Sequence, residues 1–448
     1  MTVKVAVLGL GSVGKGVLEM IARKDLDIIV TGVADSKSGL IDPSGLDIDA
    51  VLTAKKTGRC GDTSISAKEV ISRADYDVLV EVTPTDAGSG EPALSYMKMA
   101  IERGKHIVTS NKGPISLNLK ELKDLAKEKG VLVRYEATVG GAIPIMHTLG
   151  SGLAGNKFVA LYGVLNGTCN YILTRMAAEG LTYDQALAEA RELGYAEADP
   201  TLDIEGIDAA HKLALITSLA YGLPPDMHGV YVEGISNLDK LDVTFARELG
   251  YKIKLLALAI DRGDKVEARV HPTLVPLNYL LSKVDGVFNA FYVRGDIVDS
   301  TLFYGRGAGM MPTASAVVSD LADIGRNIRA GIAGRIPHLG YRKDVSNPKK
   351  YMPIDDIHTN YYLRINASDK PGVLAKIAGI LGERDISIVS VIQKAGEDKD
   401  FIPVVLLTHE AKESSVRKAI ITISALDEVK GTPVVIRVED RKLKNRPE

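Results

Sequence analysis

The chain has 448 residues, 46% hydrophobic and 25% charged, with a formal net charge of −2. That length calls for two or three domains, and the near-neutral balance removes any electrostatic case for a nucleic-acid or polybasic membrane partner. No Trp and 5% aromatics leave no base-stacking platform, and two cysteines, Cys60 and Cys169, are too few for a disulfide framework or a zinc site. No stretch is apolar for long enough to span a bilayer, and MTVKVAVLGLG runs straight into a strand without a leader pattern, so the cytoplasm is the expected compartment.

Val3–Leu8 is a β-branched apolar run that reads as a strand. Gly9, Leu10, Gly11, Ser12, Val13 and Gly14 follow, then an apolar-periodic stretch from Val17 to Ile21. In such a strand–turn–helix the first glycine allows the tight turn. The second lets backbone approach a pyrophosphate, and the third lets helix and strand pack closely. A helix N-terminus there favours phosphate charge. The strand Ile28–Ala34 ends at Asp35, where a carboxylate meets the ribose hydroxyls and argues for NAD. Ser36 and Lys37 beside it suit a 2′-phosphate, so NAD and NADP both stand.

A strand over 77–82 is stopped by Thr83-Pro84-Thr85, at the carboxyl end where parallel strands face a ligand crevice. Pro92 falls near the first turn of the next helix. His106–Thr109 is a strand, and Ser110, Asn111 and Lys112 follow it. Lys112 therefore lies at a strand's carboxyl end, beside the nicotinamide position if the fold is doubly wound, with a surface loop lysine as the plainer alternative. A helix over 117–129 and a strand over 131–135 complete a doubly wound pattern. Glu136 then opens a glycine-rich loop running to 145. A carboxylate with neighbouring carbonyls there suits a hard cation, and a tight structural crossing is the plainer alternative.

A strand-like run over 158–165 is broken by Asn166, Gly167 and Thr168, and 171–179 is helical. Thr182 to Gln185 forms a capping-box pattern before a helix over 186–193, which Gly194 closes. Tyr195, Glu197, Asp203, Asp208 and Lys212 follow. Asp208 and Lys212 share one helix face, and the apolar run 213–220 points to a buried helix with its charged end in a cleft. Desolvation destabilises the ammonium form of such a lysine and Asp208 stabilises it, which sets the amine to exchange a proton near neutral pH. The bland alternative is a solvated pair worth about 0.3 kcal/mol. His211 points about 100° away and reads as structural.

Strand-like runs over 254–261, 266–270, 286–294 and 297–304 alternate. Gly305 to Gly309 is a second glycine turn, a phosphate loop or a hinge, leading into a helix near 312–330 that packs back on the first domain. Residues 337–358 read as a linker. The β-α-β-β-α-β order after it is a ferredoxin-like unit, of the kind that pairs or binds a metabolite.

Over its whole length the chain resembles the homoserine dehydrogenases. The likeness is carried by GLGSVG, TSNKGP around Lys112, EATVGGAIP from Glu136, NGTCNYIL from Asn166, GYAEADPTLDIEGIDAAHK up to Lys212, and GRGAGMMPTASAV. A strand followed by Asp369-Lys-Pro-Gly-Val-Leu resembles an ACT domain. The resemblance implies an α/β protein with an N-terminal Rossmann-like doubly wound domain (1–135) and a central α+β catalytic and dimerisation domain (136–336). A linker (337–358) and a C-terminal ferredoxin-like ACT regulatory domain (359–440) complete it. It implies NAD(P)-dependent interconversion of L-homoserine and L-aspartate 4-semialdehyde, on the route to threonine, methionine and isoleucine.

Carried over by motif, Lys212 handles the proton, with Lys112 and Asp208 beside it. Glu197 and Asp208 hold the substrate, supported by Asp203, with Gly167, Thr168 and Tyr195 on the substrate side. Gly9, Gly11, Ser12, Val13, Gly14, Asp35, Thr83, Ser110, Lys112, Gly194 and Gly309 fall on the cofactor side. Glu136 with the carbonyls of Val139, Gly141 and Ile143 matches a monovalent-cation (Na+) loop. Threonine is the implied effector and a homodimer or homotetramer the implied assembly, and loss of the chain after about Pro353 is expected to spare activity. The residues alone leave a non-catalytic amino-acid sensor, or a dehydrogenase for another small hydroxy or amino acid, as alternatives.

Overall fold

The computed structural model describes residues 2–86, 88–332, 334, 349–394 and 400–440. They divide into two compact units, one drawn from 1–158, 211–227 and 303–349, the other from 159–210, 228–302 and 350–448.

In the first unit six strands lie in the order Gly39–Ile41, Ile28–Ala34, Val3–Leu8, Val78–Glu81, His106–Thr109, Val133–Arg134. All neighbours are parallel except the antiparallel edge Gly39–Ile41. Strands covered on both faces read as continuous apolar runs, and Val3–Leu8 does from Val5 onward, after Lys4. Val3, Val5 and Val7 share one core with Val17, Leu18 and Ile21 of the helix Ser12–Arg23, and with Ala314, Val317, Leu321 and Ile324 of the helix Met310–Arg329. The two helices meet at Gly16, where a Cβ would stand 3.0 Å from that of Ala314. The helix expected near 312–330 is this one. Gly309, at φ +121°, caps it, and the turn before it is clamped: a Cβ on Gly141 would stand 2.7 Å from the backbone of Gly307. The two glycines therefore pack backbone to backbone.

Three elements between 39 and 73 escape the sequence reading: the strand Gly39–Ile41 and the helices Ile48–Lys56 and Ala67–Arg73. The last carries a capping box, with Ser66 and Glu69 each bonded to the other's backbone N–H, a signal legible in the sequence. The helix expected over 117–129 begins earlier, as Lys112–Glu128, with Asn111 in the N-cap position without a side-chain cap bond and a kink at Asn118 (φ −131°, ψ 21°). Pro114 lies in the first turn, where a missing N–H costs nothing.

The second unit is built on one sheet. The strand Phe158–Val164 runs antiparallel to Tyr251–Asp261, which runs antiparallel to Lys265–Pro276. Lys265–Pro276 then takes Val434–Val438 as a parallel neighbour, at Thr273↔Arg437 and Leu274↔Val438. Beyond it lie His358–Ser368, Phe401–Thr408 and Ile388–Gln393 in antiparallel order. The helices Val373–Gly382 and Glu413–Ser424 supply Val373, Ile377, Leu381, Val416 and Ile420 to a core with Tyr361, Leu363 and Ile365. This is the expected β-α-β-β-α-β order.

Of the linker, residues 337–348 lie outside the described residues. The rest is built in: Lys350–Tyr351 pairs with Lys265 and Val266, and Ile354–Asp356 is a 3-10 turn. The hydrogen-bonded joint at Thr273 and Leu274 also revises the expected clean removal of everything after Pro353, because that cut strips a buried strand of its neighbour.

Candidate active site

The first unit carries the cofactor half. Gly9 has φ +97°, and a Cβ on it would lie 2.4 Å from the Val82 carbonyl oxygen. A Cβ on Gly14 would lie 1.8 Å from the Gly9 oxygen, so strand and helix meet there without room for a side chain. Around Gly11 nothing stands within 4 Å of the corresponding position, which leaves its backbone open to an approaching phosphate. Ser12 and Val13 open the helix behind it.

Asp35 is already engaged. One oxygen accepts the N–H groups of Lys37 (2.7 Å) and Ser38 (2.8 Å), and the other pairs with Lys55. Burial pushes its carboxyl up, but the Lys55 ammonium and the two N–H bonds outweigh that and hold it below the usual range.

The strand ends that carry Thr83, Ser110 and Lys112 are joined by a residue the sequence reading passed over. Glu81 is buried and accepts the Thr83 N–H (2.9 Å) and hydroxyl, the Asn111 amide (2.6 Å) and the Thr109 hydroxyl (3.3 Å). Burial nevertheless pushes its pKa up. Its signal was a lone carboxylate closing the apolar strand Val78–Glu81. Ser110 and Lys112 are half-buried, and Gly309 sits at its helix cap.

Glu136 is buried as well. Its two oxygens accept the N–H groups of Met146 (2.9 Å) and His147 (2.7 Å), while Asp320 accepts the Glu136 N–H (2.9 Å) and meets His147 Nε2 (2.9 Å). Burial, then the Asp320 charge, push Glu136 up to about 7. Of the loop carbonyls, that of Ile143 accepts the Ile145 N–H (2.8 Å); Val139 is buried, and Gly141 has φ +56°. Among the described residues no group of three or more His, Cys, Asp or Glu is arranged as a metal site.

The second unit gathers the acidic residues. Asn166 caps the helix Gly167–Glu179 by accepting the Cys169 N–H (2.9 Å). Its amide donates to Asp203 Oδ1 (2.6 Å) and to Asp208 Oδ2 (3.1 Å). Thr168 donates to Asp203 Oδ2 (2.9 Å) and to the Tyr195 carbonyl (2.7 Å). Gly167 lies against the Val287 carbonyl, where a Cβ would stand at 2.9 Å. Asn166 is thus a further residue missed as a functional one: its cap position was legible, its hold on two carboxylates was not.

Glu197 is exposed, and no side-chain hydrogen bond links it to Asn166, Asp203 or Asp208. Gly194 (φ +71°) is exposed, and the half-exposed Tyr195 ring lies 4.9 Å from that of Tyr171. Lys212 follows Asp208 by one turn of the helix Ile207–Tyr221. It is buried, 7% exposed, ahead of buried Leu213, Leu215 and Ile216, as the apolar run foretold.

A doubly wound sheet with an open glycine turn, in a chain that also carries tethered carboxylates and a buried lysine one turn further on, defines a dinucleotide-dependent dehydrogenase. Residues 9–136 match the homoserine dehydrogenase NAD-binding domain, 144–322 the homoserine dehydrogenase domain and 361–424 the ACT domain. The homoserine dehydrogenase of Pseudomonas aeruginosa is 43% identical over 98% of this chain and 99% of its own length, and that of Bacillus subtilis 36% identical over 98% of both. The crystal structure of a homoserine dehydrogenase from Thiobacillus denitrificans superposes with a TM-score of 0.87 at 41% identity, covering 98% of this chain and 99% of that one. A hyperthermophilic archaeal homoserine dehydrogenase in complex with NADPH superposes at 0.63 and 28% identity, covering 73% of this chain and 98% of that one. The chain belongs to the homoserine dehydrogenase family.

Proposed function

We propose that the chain interconverts L-homoserine and L-aspartate 4-semialdehyde with either NAD or NADP, and that Lys212 exchanges the proton at the hydroxyl/aldehyde oxygen. The bound nicotinamide supplies the hydride chemistry. What remains for the protein is to place the carbinol carbon and manage one proton. A substrate ammonium calls for carboxylates, and Asp208 and Glu197 fill that role with Asp203 in support. The observation that carries this reading is the double tether of Asn166 to Asp203 and Asp208. It holds two like charges together where a cationic group relieves their repulsion.

We assign Lys112 and Thr83 to the nicotinamide side, with Ser110 and Gly309 as further cofactor residues of the same unit. Lys55 beside Asp35 adds a cation to the ribose end, which suits NADP, as does the relative crystallised with NADPH. The experiment is the steady-state rate with each cofactor in turn. Glu197→Ala is expected to raise KM for homoserine at least about tenfold, the order lost with one charged contact, with kcat little changed. An unaltered KM removes Glu197 from substrate binding.

The Glu136 loop fits a monovalent cation. Its carboxylate is buried and, by burial and then the Asp320 charge, has a raised pKa, so a cation beside it would favour the charged form. Carbonyls of Val139, Gly141 and Ile143 would complete an oxygen shell, and the ion would fix the loop rather than take part in the reaction. The folded pKa of Glu136 lies above its ordinary 4.5, so between about 4.5 and about 7 the folded state keeps a proton that the unfolded chain releases. Stability therefore falls as pH rises through that window. Na+ is expected to raise Tm at pH 8 and not at pH 5, with Glu136→Gln abolishing the difference. Equal shifts at both pH values would remove the cation from this loop.

Threonine is the effector we assign to the ACT domain, and a homodimer or homotetramer the assembly. Among the described residues no helix is long and apolar enough to cross a membrane.

A further inference from the structure

The second unit holds a buried ion network that the reaction as described does not use. Its centre is Arg437, 3% exposed, on the last strand of the ACT domain. The guanidinium donates to both oxygens of Glu413 within that domain. Across the strand joint it donates to Glu233 Oε2 (2.8 Å) and meets the Tyr231 hydroxyl (3.3 Å), which itself donates to Glu233 (3.0 Å). Tyr231–Val232 is a short strand of the other domain, paired with Lys265–Pro276 at Arg269 and Val270.

Immediately after Glu233 the backbone runs against the segment that carries the substrate carboxylates. A Cβ on Gly234 would stand 2.5 Å from the Ile204 carbonyl oxygen and 2.6 Å from the Glu205 Cα, so the two backbones touch. The Ile235 N–H donates to the Ile204 carbonyl (2.8 Å). Gly206, at φ +78°, is packed against Val232, Val270 and the Glu233 carbonyl. Asp203 precedes this contact by one residue, and Asp208 follows Gly206 by two. A displacement of the Glu233 backbone is therefore passed to the segment between the two carboxylates by direct backbone contact.

We propose that Arg437 is a positioning residue for substrate binding: through Glu233 it sets the 203–208 segment from the ACT domain. The proposal rests on the reading of Asp203 and Asp208 as the substrate's carboxylates. A regulatory domain joined only for stability needs no arginine shared between its own Glu413 and the strand that backs this segment.

The test is steady-state kinetics on the full chain with Arg437→Lys and Glu233→Gln, both milder than truncation, and with Arg437→Ala if it folds. The expected result is a rise of about tenfold or more in KM for homoserine, with KM for the nicotinamide cofactor and kcat within about twofold. The Glu233→Gln and Arg437→Lys effects are expected to be less than multiplicative when combined, because they act on one contact. A merely structural role predicts instead a lower Tm and a smaller active fraction with KM unmoved, and that result overturns the proposal. Asp203→Asn and Asp208→Asn are measured alongside. If they leave KM for homoserine unchanged, the carboxylate reading fails by itself; if they raise it and the Arg437 and Glu233 variants do not, the positioning claim alone fails.

Discussion

Replacing Lys212 by alanine is expected to lower turnover by about two to four orders of magnitude, the range for removing a general acid or base, with KM for the cofactor little changed. Lys212 is buried in the middle of an apolar helix, one turn after Asp208. An amine placed there can exchange a proton with an oxygen that changes from hydroxyl to carbonyl. An alanine there also leaves a cavity of a few methylenes, so the variant's Tm is needed beside its rate. Turnover within about threefold of the parent, in a folded variant, ends the case for Lys212, since a general acid–base group contributes at least ~100-fold.

The largest expected loss of stability is from Asp242→Ala. Asp242 is fully buried on the helix Lys240–Glu248 and receives Arg364 in a two-pronged bond, Nε to Oδ1 at 2.6 Å and Nη2 to Oδ2 at 2.9 Å. The Tyr362 hydroxyl adds a third bond at 3.0 Å. Both partners lie on His358–Ser368, so this carboxylate pins the ACT sheet to a helix of the other domain. Its removal leaves the Arg364 charge buried and uncompensated, at a cost of about 3–5 kcal/mol. Thermal melting is expected to fall by roughly 10 °C. Arg364→Met added to Asp242→Ala is expected to recover part of the loss, because it deletes the stranded charge. A single-variant shift of about 1 °C or less would show the pair to be solvated in solution.

The glycine turn was legible because its constraints are local. Gly9 and Gly14 have no room for a side chain, and the motif spacing states as much. The capping box at Thr182 and Gln185 is local too, and both of its bonds are present. The helix after His106–Thr109 was started too late, at 117 rather than Lys112, because Gly113-Pro114 looks like a loop signal, whereas a proline in the first helical turn is also favourable. Glu81, Asn166 and Asp242 were passed over for one shared reason. Each acts through partners tens to more than a hundred residues away, such as Asn111, Asp203 and Arg364, and no short window of sequence contains both ends. The identity of a strand's parallel neighbour is equally silent in the sequence, which is why the fused sheet read as a linker and a separate module.

That joint between Thr273 and Arg437 has a bearing on synthesis. Its two partners are far apart in sequence, so a ribosome must translate the whole ACT domain before the strand Lys265–Pro276 meets its last neighbour. Until then the edge at Thr273 and Leu274 is open to mispairing, a period in which nascent chains aggregate or engage chaperones. Frameshifts or nonsense codons ahead of Arg437 therefore threaten yield as much as regulation.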